Sequence, residues 1–379
     1  EEKSMIPVTR PHLPEMSRYL GYIERCYENY QLTNNGPLVQ ELKARLEDYL
    51  GVQNLLPVAN GTLALQIAYK ALGVTGKAVT TPFTFVATSS SLKWEGIEPV
   101  FADIDGETMD LSPEKAREVL DRDVTALVPV HVYGNPCDVK GFDEIAEDRD
   151  LKVIYDAAHA FGVNLNGRSV LEWGDAATLS FHATKVFHTV EGGAIIFKRR
   201  EDYERACRLI NFGYEAGEVV DEGINAKMSE FHAAMGLSVL DEIETVLKGR
   251  GEVHHRYEEA LQDYYDMPRW REGATRNYAY FPVLFPSEAA LLKTEQRLNE
   301  AGIFPRRYFY PSLDALGYGQ PGGEYPVSRD RASRVLCLPI YPALPPEEQE
   351  RVISIMISAQ GYRGKMGGSE ENLIERQMQ

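Results

Sequence analysis

Residues 151–159 read Leu-Lys-Val-Ile-Tyr-Asp-Ala-Ala-His. Leu151 to Tyr155 is a β-branched run of buried-strand length, the pattern of a strand covered by helices on both faces. It ends in a carboxylate. Asp156, placed there, must find a cation or several donors, because burying it unpaired costs several kcal/mol. Capping the following helix is the alternative use of the same side chain.

Working outward, the same alternation recurs on both sides. Upstream lie a helical stretch from Val139 to Arg149 and a strand from Ala126 to Val132 (ALVPVHV). Before those come Leu55 to Val58, then Asn60 as the N-cap of a helix whose apolar face is Leu63, Leu65, Ile67, Ala68 and Leu72. Ala78 to Thr81 precedes a helix around Val86 to Trp94, and Glu98 to Asp103 precedes Ser112-Pro113, a cap with proline at the first helical position. Downstream, Ala177 to Phe181 and Ala194 to Phe197 follow each other without a long helix between, which predicts an antiparallel strand. The fold class is therefore α/β, a mostly parallel seven-stranded sheet with helices on both faces. Ser229 to about Tyr264 is helix-rich. Tyr278 to Phe285 (strand), Ser287 to Ala301 (helix), Arg334 to Leu338 (strand) and Pro345 to Ala359 (helix) predict a smaller C-terminal α+β domain. The expected division is 1–245 for the large domain, 246–360 for the small one and 361–379 for a Gly-rich, polar, flexible tail.

Composition narrows the function. The chain has 379 residues, and its formal net charge of −17 argues against a nucleic-acid surface, which needs clustered Lys and Arg. No apolar run approaches the roughly 20 residues that span a bilayer, and residues 1–10 lack the apolar core of a signal peptide, so a cytoplasmic location is expected. Cys26, Cys137, Cys207 and Cys337 are scattered and form no metal-binding or disulfide pattern. No metal site is expected, His254-His255 included.

In a doubly wound sheet the residues just after each strand form the ligand site. After the first strand comes Asn60-Gly61-Thr62, where N–H groups at a helix start would suit a phosphate, though an ordinary cap has the same look. Ser180-Phe181-His182-Ala183-Thr184-Lys185 ends another strand in a lysine, followed by Glu191-Gly192-Gly193. Phosphate donors, a buried carboxylate and a lysine at neighbouring strand ends meet the requirements of pyridoxal 5'-phosphate, which needs an amine for its aldehyde, an anion at its ring nitrogen and donors for its phosphate.

With these residues in place, the chain resembles the DegT/StrS type of sugar aminotransferases, within the aspartate-aminotransferase-like fold type I. The likeness runs from about Ile6 to about Ala359. It rests on Thr33-Asn34-Asn35-Gly36-Pro37, Asn60-Gly61-Thr62-Leu63-Ala64-Leu65, Pro82-Phe83-Thr84-Phe85, Asp156-Ala157-Ala158-His159 and the segment from Ser180 to Gly193. The resemblance implies that Lys185 forms the imine with the cofactor aldehyde and that Asp156 meets the pyridine nitrogen. It places Gly61, Thr62 and Ser180 on the phosphate and Phe85 on a face of the ring. His159 stands beside the ring hydroxyl, where many members carry Gln. Asn225 matches the segment that reaches the phosphate of a neighbouring subunit, which implies a homodimer with shared active sites. Val190 departs from the glycine with which many members open this turn.

The resemblance further implies transamination, with pyridoxamine phosphate as the intermediate form, glutamate as amino donor and a nucleotide-linked keto sugar as acceptor. The His182 and Glu191-Gly192-Gly193 pattern looks like members that aminate C-4 of a 4-keto-6-deoxyhexose such as dTDP-4-keto-6-deoxyglucose. His182 and His188 are candidates to meet the sugar or diphosphate, or else structural histidines. Arg306, Arg307 and Tyr310 are candidates for the diphosphate and base, or else surface residues. The competing readings are C-3 amination or dehydration on the same fold, and a non-catalytic regulator that binds cofactor or sugar.

Overall fold

Val153 and Tyr155 pack into one apolar core and Ile154 into another, as alternation along a doubly covered strand requires. The computed structural model describes residues 5–318 and 322–360. Its central sheet has strands β1 (Leu55–Val58), β2 (Lys77–Thr80), β3 (Glu98–Phe101), β4 (Val124–Val128), β5 (Lys152–Asp156), β6 (Ala176–Ser180) and β7 (Gly193–Phe197). Their order is β1-β7-β6-β5-β4-β2-β3. Only β7 runs against its neighbours, pairing antiparallel with β1 and β6, and this is the reversed strand the sequence predicts.

One face of the sheet is covered by helices Pro37–Leu50, Val139–Arg149 and Glu230–Leu240, which bury Leu42, Leu46, Phe142, Ile145 and Leu237. The other is covered by Gly61–Ala71, Ala87–Trp94 and Arg200–Leu209 through Ala64, Leu65, Ala68, Leu92 and Leu209. Each such aliphatic side chain contributes about 1.5–3 kcal/mol on burial. Two predicted caps are present: Asn60 Oδ1 accepts from Leu63 N at 2.8 Å, and Ser112 Oγ accepts from Lys115 N at 3.3 Å. Helices Met16–Asn29, Pro37–Leu50, Arg200–Leu209 and Pro326–Arg334 are additional to those the sequence pattern predicts. Arg200–Leu209, for instance, buries only Ala206 and Leu209, too narrow a stripe to stand out.

Two strands are shorter than expected. The run from Ala126 ends as strand at Val128 because Pro129 has no N–H to give a ladder, and Tyr133 then turns at φ 58°. The run from Tyr278 is strand only over Pro282–Leu284, which pairs with Val335–Cys337. Tyr278 stands at φ 55°, and its carbonyl is taken by the Arg250 guanidinium instead of a neighbouring strand.

A third apolar core gathers Tyr257, Leu261, Phe281, Leu291, Leu298, Leu336 and Val352. Helix Ile243–Leu261 starts against the core of Val153 and Tyr155 with Ile243 and Val246 and ends in the third, so a cut at 245 falls inside it. Ile6–Pro7 pairs parallel with Ile303–Phe304, and Ile6 packs into this third core. The first residues thus join the smaller assembly, a correction to the 1–245 grouping. The reason is that strand pairing is set across space and leaves no mark in a two-residue segment. The expected tail, 361–379, lies outside the described residues. Among the described residues no helix is long and apolar enough to cross a membrane.

Candidate active site

The carboxyl ends of β1, β5 and β6 and the loop after β2 meet at a cavity of about 350 Å³. At one wall helix Gly61–Ala71 begins. Its Asn60 cap occupies the Leu63 N–H, and the first-turn N–H groups of Gly61 and Thr62 have no partner within the helix. Ser180, the last residue of β6, lies hard against Gly61: a Cβ built there would stand 2.9 Å from Ser180 Cβ. Glycine therefore lets two N–H groups, the Thr62 hydroxyl and the Ser180 hydroxyl share one corner of the cavity, with the positive end of a helix behind them. That donor set fits a phosphate.

Asp156 closes the floor. It is 7% exposed, its Oδ2 accepts from Thr88 Oγ1 at 2.8 Å and its Oδ1 from Ala158 N at 3.1 Å. Burial raises its pKa, while these two donors and the Lys185 charge pull it back. The bonds hold the carboxylate plane still. Capping of a following helix, the alternative use, is reduced to the single Ala158 contact.

Lys185 also lines the cavity, partly buried, with Nζ 3.5 Å from the Tyr280 hydroxyl. Burial lowers its pKa to about 8, against the opposing pull of Asp156. A usable fraction of free amine is therefore present near neutral pH, as attack on an aldehyde requires. His159 accepts from Tyr133 N–H at Nδ1, 3.2 Å away. The ring is held neutral by burial, so Nε2 carries the proton and is a donor. The ring stacks on Phe309 with centroids 5.6 Å apart and 3° between planes. Phe85 is 57% exposed on the cavity wall, which excludes a core-filling role and leaves a free aromatic face.

Among the other candidates, His182 lines the cavity, its Nδ1 within 2.8 Å of Thr184 Oγ1 and its Nε2 3.8 Å from Glu191. His188 does not. It is 1% exposed, its Nε2 bonds the His12 carbonyl at 2.7 Å and its Nδ1 accepts from Val190 N at 3.2 Å. With both ring nitrogens used, it is a structural histidine, and the substrate assignment is corrected. Arg307 bonds Glu288 at 2.6 Å and the Ser333 carbonyl at 3.0 Å while covering the Tyr310 ring at 3.5 Å. Arg306 is exposed and joins Cys337 only through its backbone. None of Arg306, Arg307 and Tyr310 lines the cavity. The aromatic side chains that this segment does send in are Tyr308 and Phe309, and Tyr280 enters from the shortened strand. Charge marks the arginine pair in the sequence, whereas backbone path brings the rings beside it into the cavity. Asn225 is exposed and outside this cavity.

The Gly61–Ser180 corner, the Asp156 floor and the Lys185 amine together fit pyridoxal phosphate. Residues 15–357 match the DegT/DnrJ/EryC1/StrS aminotransferase family. The chain is 43% identical over 360 residues to a dTDP-4-amino-4,6-dideoxy-D-glucose transaminase of Shigella dysenteriae, covering 92% of this chain and 97% of that relative. It is 37% identical over 363 residues to the Escherichia coli enzyme of the same name, covering 93% and 98%. Among solved structures, DesI in the presence of its TDP-sugar product superposes with a TM-score of 0.89 at 33% identity, over 94% of this chain and 93% of that one. Fold, cavity and likeness define a pyridoxal-phosphate-dependent sugar aminotransferase of fold type I. The chain belongs to the DegT/DnrJ/EryC1/StrS aminotransferase family.

Proposed function

We propose that the protein moves an amino group from glutamate to C-4 of dTDP-4-keto-6-deoxyglucose, working in the cytoplasm as a homodimer. The observation that carries the chemistry is the Lys185 amine, its pKa lowered to about 8, opening into the same cavity as the buried Asp156 carboxylate. Bound there, pyridoxal phosphate supplies an aldehyde and an electron-accepting ring that carry the amino group between donor and acceptor. Asp156, fixed by Thr88 and Ala158, would hold a proton at the pyridine nitrogen. His159 would donate from Nε2 toward the ring hydroxyl, and Phe85 would offer a flat face to the ring. Gly61, Thr62 and Ser180 would take the phosphate. Lys185 would hold the group through its amine, and that amine would also be the base for the proton at the donor's α-carbon. The C-4 assignment is supported by the kinship with the Shigella relative along nearly the whole chain.

The cavity's charge supports the homodimer. Lys185 is the only lysine or arginine among the described residues that line it. A cofactor phosphate, a sugar-linked diphosphate and the carboxylates of glutamate need more donors than this chain alone brings. Asn225, exposed and not among the residues that line its own cavity, is the residue we assign to the phosphate of the second copy.

The test is an absorption spectrum of the purified protein. A band near roughly 410–430 nm that moves to about 330 nm with glutamate and returns with dTDP-4-keto-6-deoxyglucose reports both half-reactions. NMR of the product then gives the regiochemistry, and an amine on C-3 would overturn the C-4 assignment. A Lys185→Ala variant that still transaminates at the wild-type rate would remove the mechanism.

A further inference from the structure

Arg250 is 2% exposed, and among the described residues no carboxylate forms an ion pair with it. Its Nη1 instead reaches the carbonyls of Tyr278, Ala279 and Ile340 at 3.2, 3.3 and 3.3 Å, and its Nη2 the Thr9 hydroxyl at 3.5 Å. Among the described residues its Nε has no hydrogen-bond partner. Burying a cation without an anion is costly, and burial lowers the pKa of this guanidinium to about 10. A feature with that cost calls for a compensating use, and what Arg250 holds is the segment that leads to Tyr280.

That segment is irregular. Tyr278 is a non-glycine residue at φ 55°, and a helix-like or strand-like path through it would turn the next side chains elsewhere. Asn277 fastens the segment from the other side: its Nδ2 donates to the carbonyls of His159 and Phe161 at 2.8 and 3.0 Å, and its Oδ1 accepts from Ala279 N at 3.2 Å. Between these two anchors the Tyr280 side chain is delivered to the cavity, tilted against the His159 ring at 4.7 Å, with its hydroxyl 3.5 Å from Lys185 Nζ. The titratable groups that act on the Lys185 amine are then Asp156, His159 and Tyr280.

We propose that Tyr280 is a positioning residue for Lys185, its phenol oxygen holding the lysine amine in place between proton transfers, and that Arg250 sets Tyr280 by gathering the carbonyls around it. This rests on the transamination proposed above. A free lysine side chain has four rotatable bonds, so a fixed acceptor within reach, the Tyr280 hydroxyl, limits where its amine can wait. Burial keeps the phenol protonated, so the same oxygen can accept from the ammonium or donate to the free amine.

Tyr280→Phe keeps the ring and removes the contact. In single turnovers of the cofactor-loaded protein with glutamate and with α-deuterated glutamate, the variant should react about tenfold more slowly and show a larger isotope effect, with glutamate affinity unchanged. In cofactor-free protein, the pH midpoint for imine capture of added pyridoxal phosphate by Lys185 should fall below that of the wild type, because the ammonium has lost an acceptor. A wild-type rate, isotope effect and capture midpoint in Tyr280→Phe would overturn the proposal. Arg250→Lys should slow the same turnover, and combining it with Tyr280→Phe should add little, since Arg250 acts through Tyr280; full additivity would overturn the part assigned to Arg250. The capture experiment needs no amino donor, so a wild-type protein inert to glutamate would sink the transamination reading and still leave the Tyr280 contact decided.

Discussion

Thr88 Oγ1 donates to Asp156 Oδ2 at 2.8 Å, from helix Ala87–Trp94 on one side of the sheet to the end of β5. Both side chains are buried, so this bond sets the plane and the charge of the carboxylate under the cavity. Thr88→Val removes the donor at constant shape and leaves Asp156 with only the Ala158 N–H. A hydrogen bond to a charged group is worth on the order of 1.5 kcal/mol, so kcat should fall about tenfold and binding of pyridoxal phosphate should weaken. Steady-state kinetics and a spectroscopic titration with the cofactor check both, and Asp156→Asn should be the more damaging change.

The Lys185 amine carries a pH signature. Its folded pKa of about 8 lies below the ordinary 10.5, so between those values the unfolded chain binds more protons than the folded one. By this term the stability of the cofactor-free protein rises with pH across that window, and the cost of the buried charge is fully present below about pH 8. Lys185→Met should remove that part of the slope. Denaturant titrations at a series of pH values measure it, and identical slopes in the two proteins would contradict the assignment.

Val190 has φ 67°, a left-handed backbone that a β-branched residue adopts only under strain. It is held there because its N–H donates to His188 Nδ1 and its carbonyl accepts from Ala183 N at 2.8 Å, within the loop that carries Lys185. Val190→Gly keeps both bonds and relieves the strain, less the extra chain entropy of glycine. The expected result is a gain of about 0.5–1 kcal/mol in unfolding free energy with activity unchanged, read by chemical denaturation.

Glu230 is 1% exposed and accepts from the N–H groups of Leu38 and Val39 at 2.8 and 2.9 Å, at the start of helix Pro37–Leu50. It is the cap that helix otherwise lacks, supplied from another part of the chain. Glu230→Ala should cost about 2–4 kcal/mol and Glu230→Gln, which keeps one acceptor, clearly less. Gly36→Ala should also destabilise, because its Cβ would stand 2.5 Å from Glu230 Cδ. Thermal melts of the three variants rank them.

The readable part of the site was the part built on strand ends. Asp156, Ser180 and the Asn60-Gly61-Thr62 turn follow apolar runs directly, and the position of a residue after a run is visible in the chain itself. Lys185, five residues past Ser180, was legible for the same reason. Tyr280, Tyr308 and Phe309 belong to segments whose path departs from regular strand, and such departures are set by partners far away, as Arg250 sets the backbone at Tyr278. His188 shows the converse error: its closeness to Lys185 in sequence suggested substrate, but its ring bonds His12, 176 residues away.

By itself the sequence determined the layered α/β architecture, the reversed strand β7, the two side-chain caps and the strand ends that bring Lys185, Asp156, Gly61, Thr62 and Ser180 to one cavity. Each of these follows from local chemistry: buried strands need unbroken apolar runs, helix starts need acceptors, and a strand end in a doubly wound sheet faces the ligand. Only the tertiary structure decided that Ile6–Pro7 pairs with Ile303–Phe304, that Glu230 caps a helix 192 residues earlier, and which aromatic rings enter the cavity. These depend on distances between segments remote in the chain, and hydrogen bonds and packing act on distance in space, for which sequence spacing carries no signal.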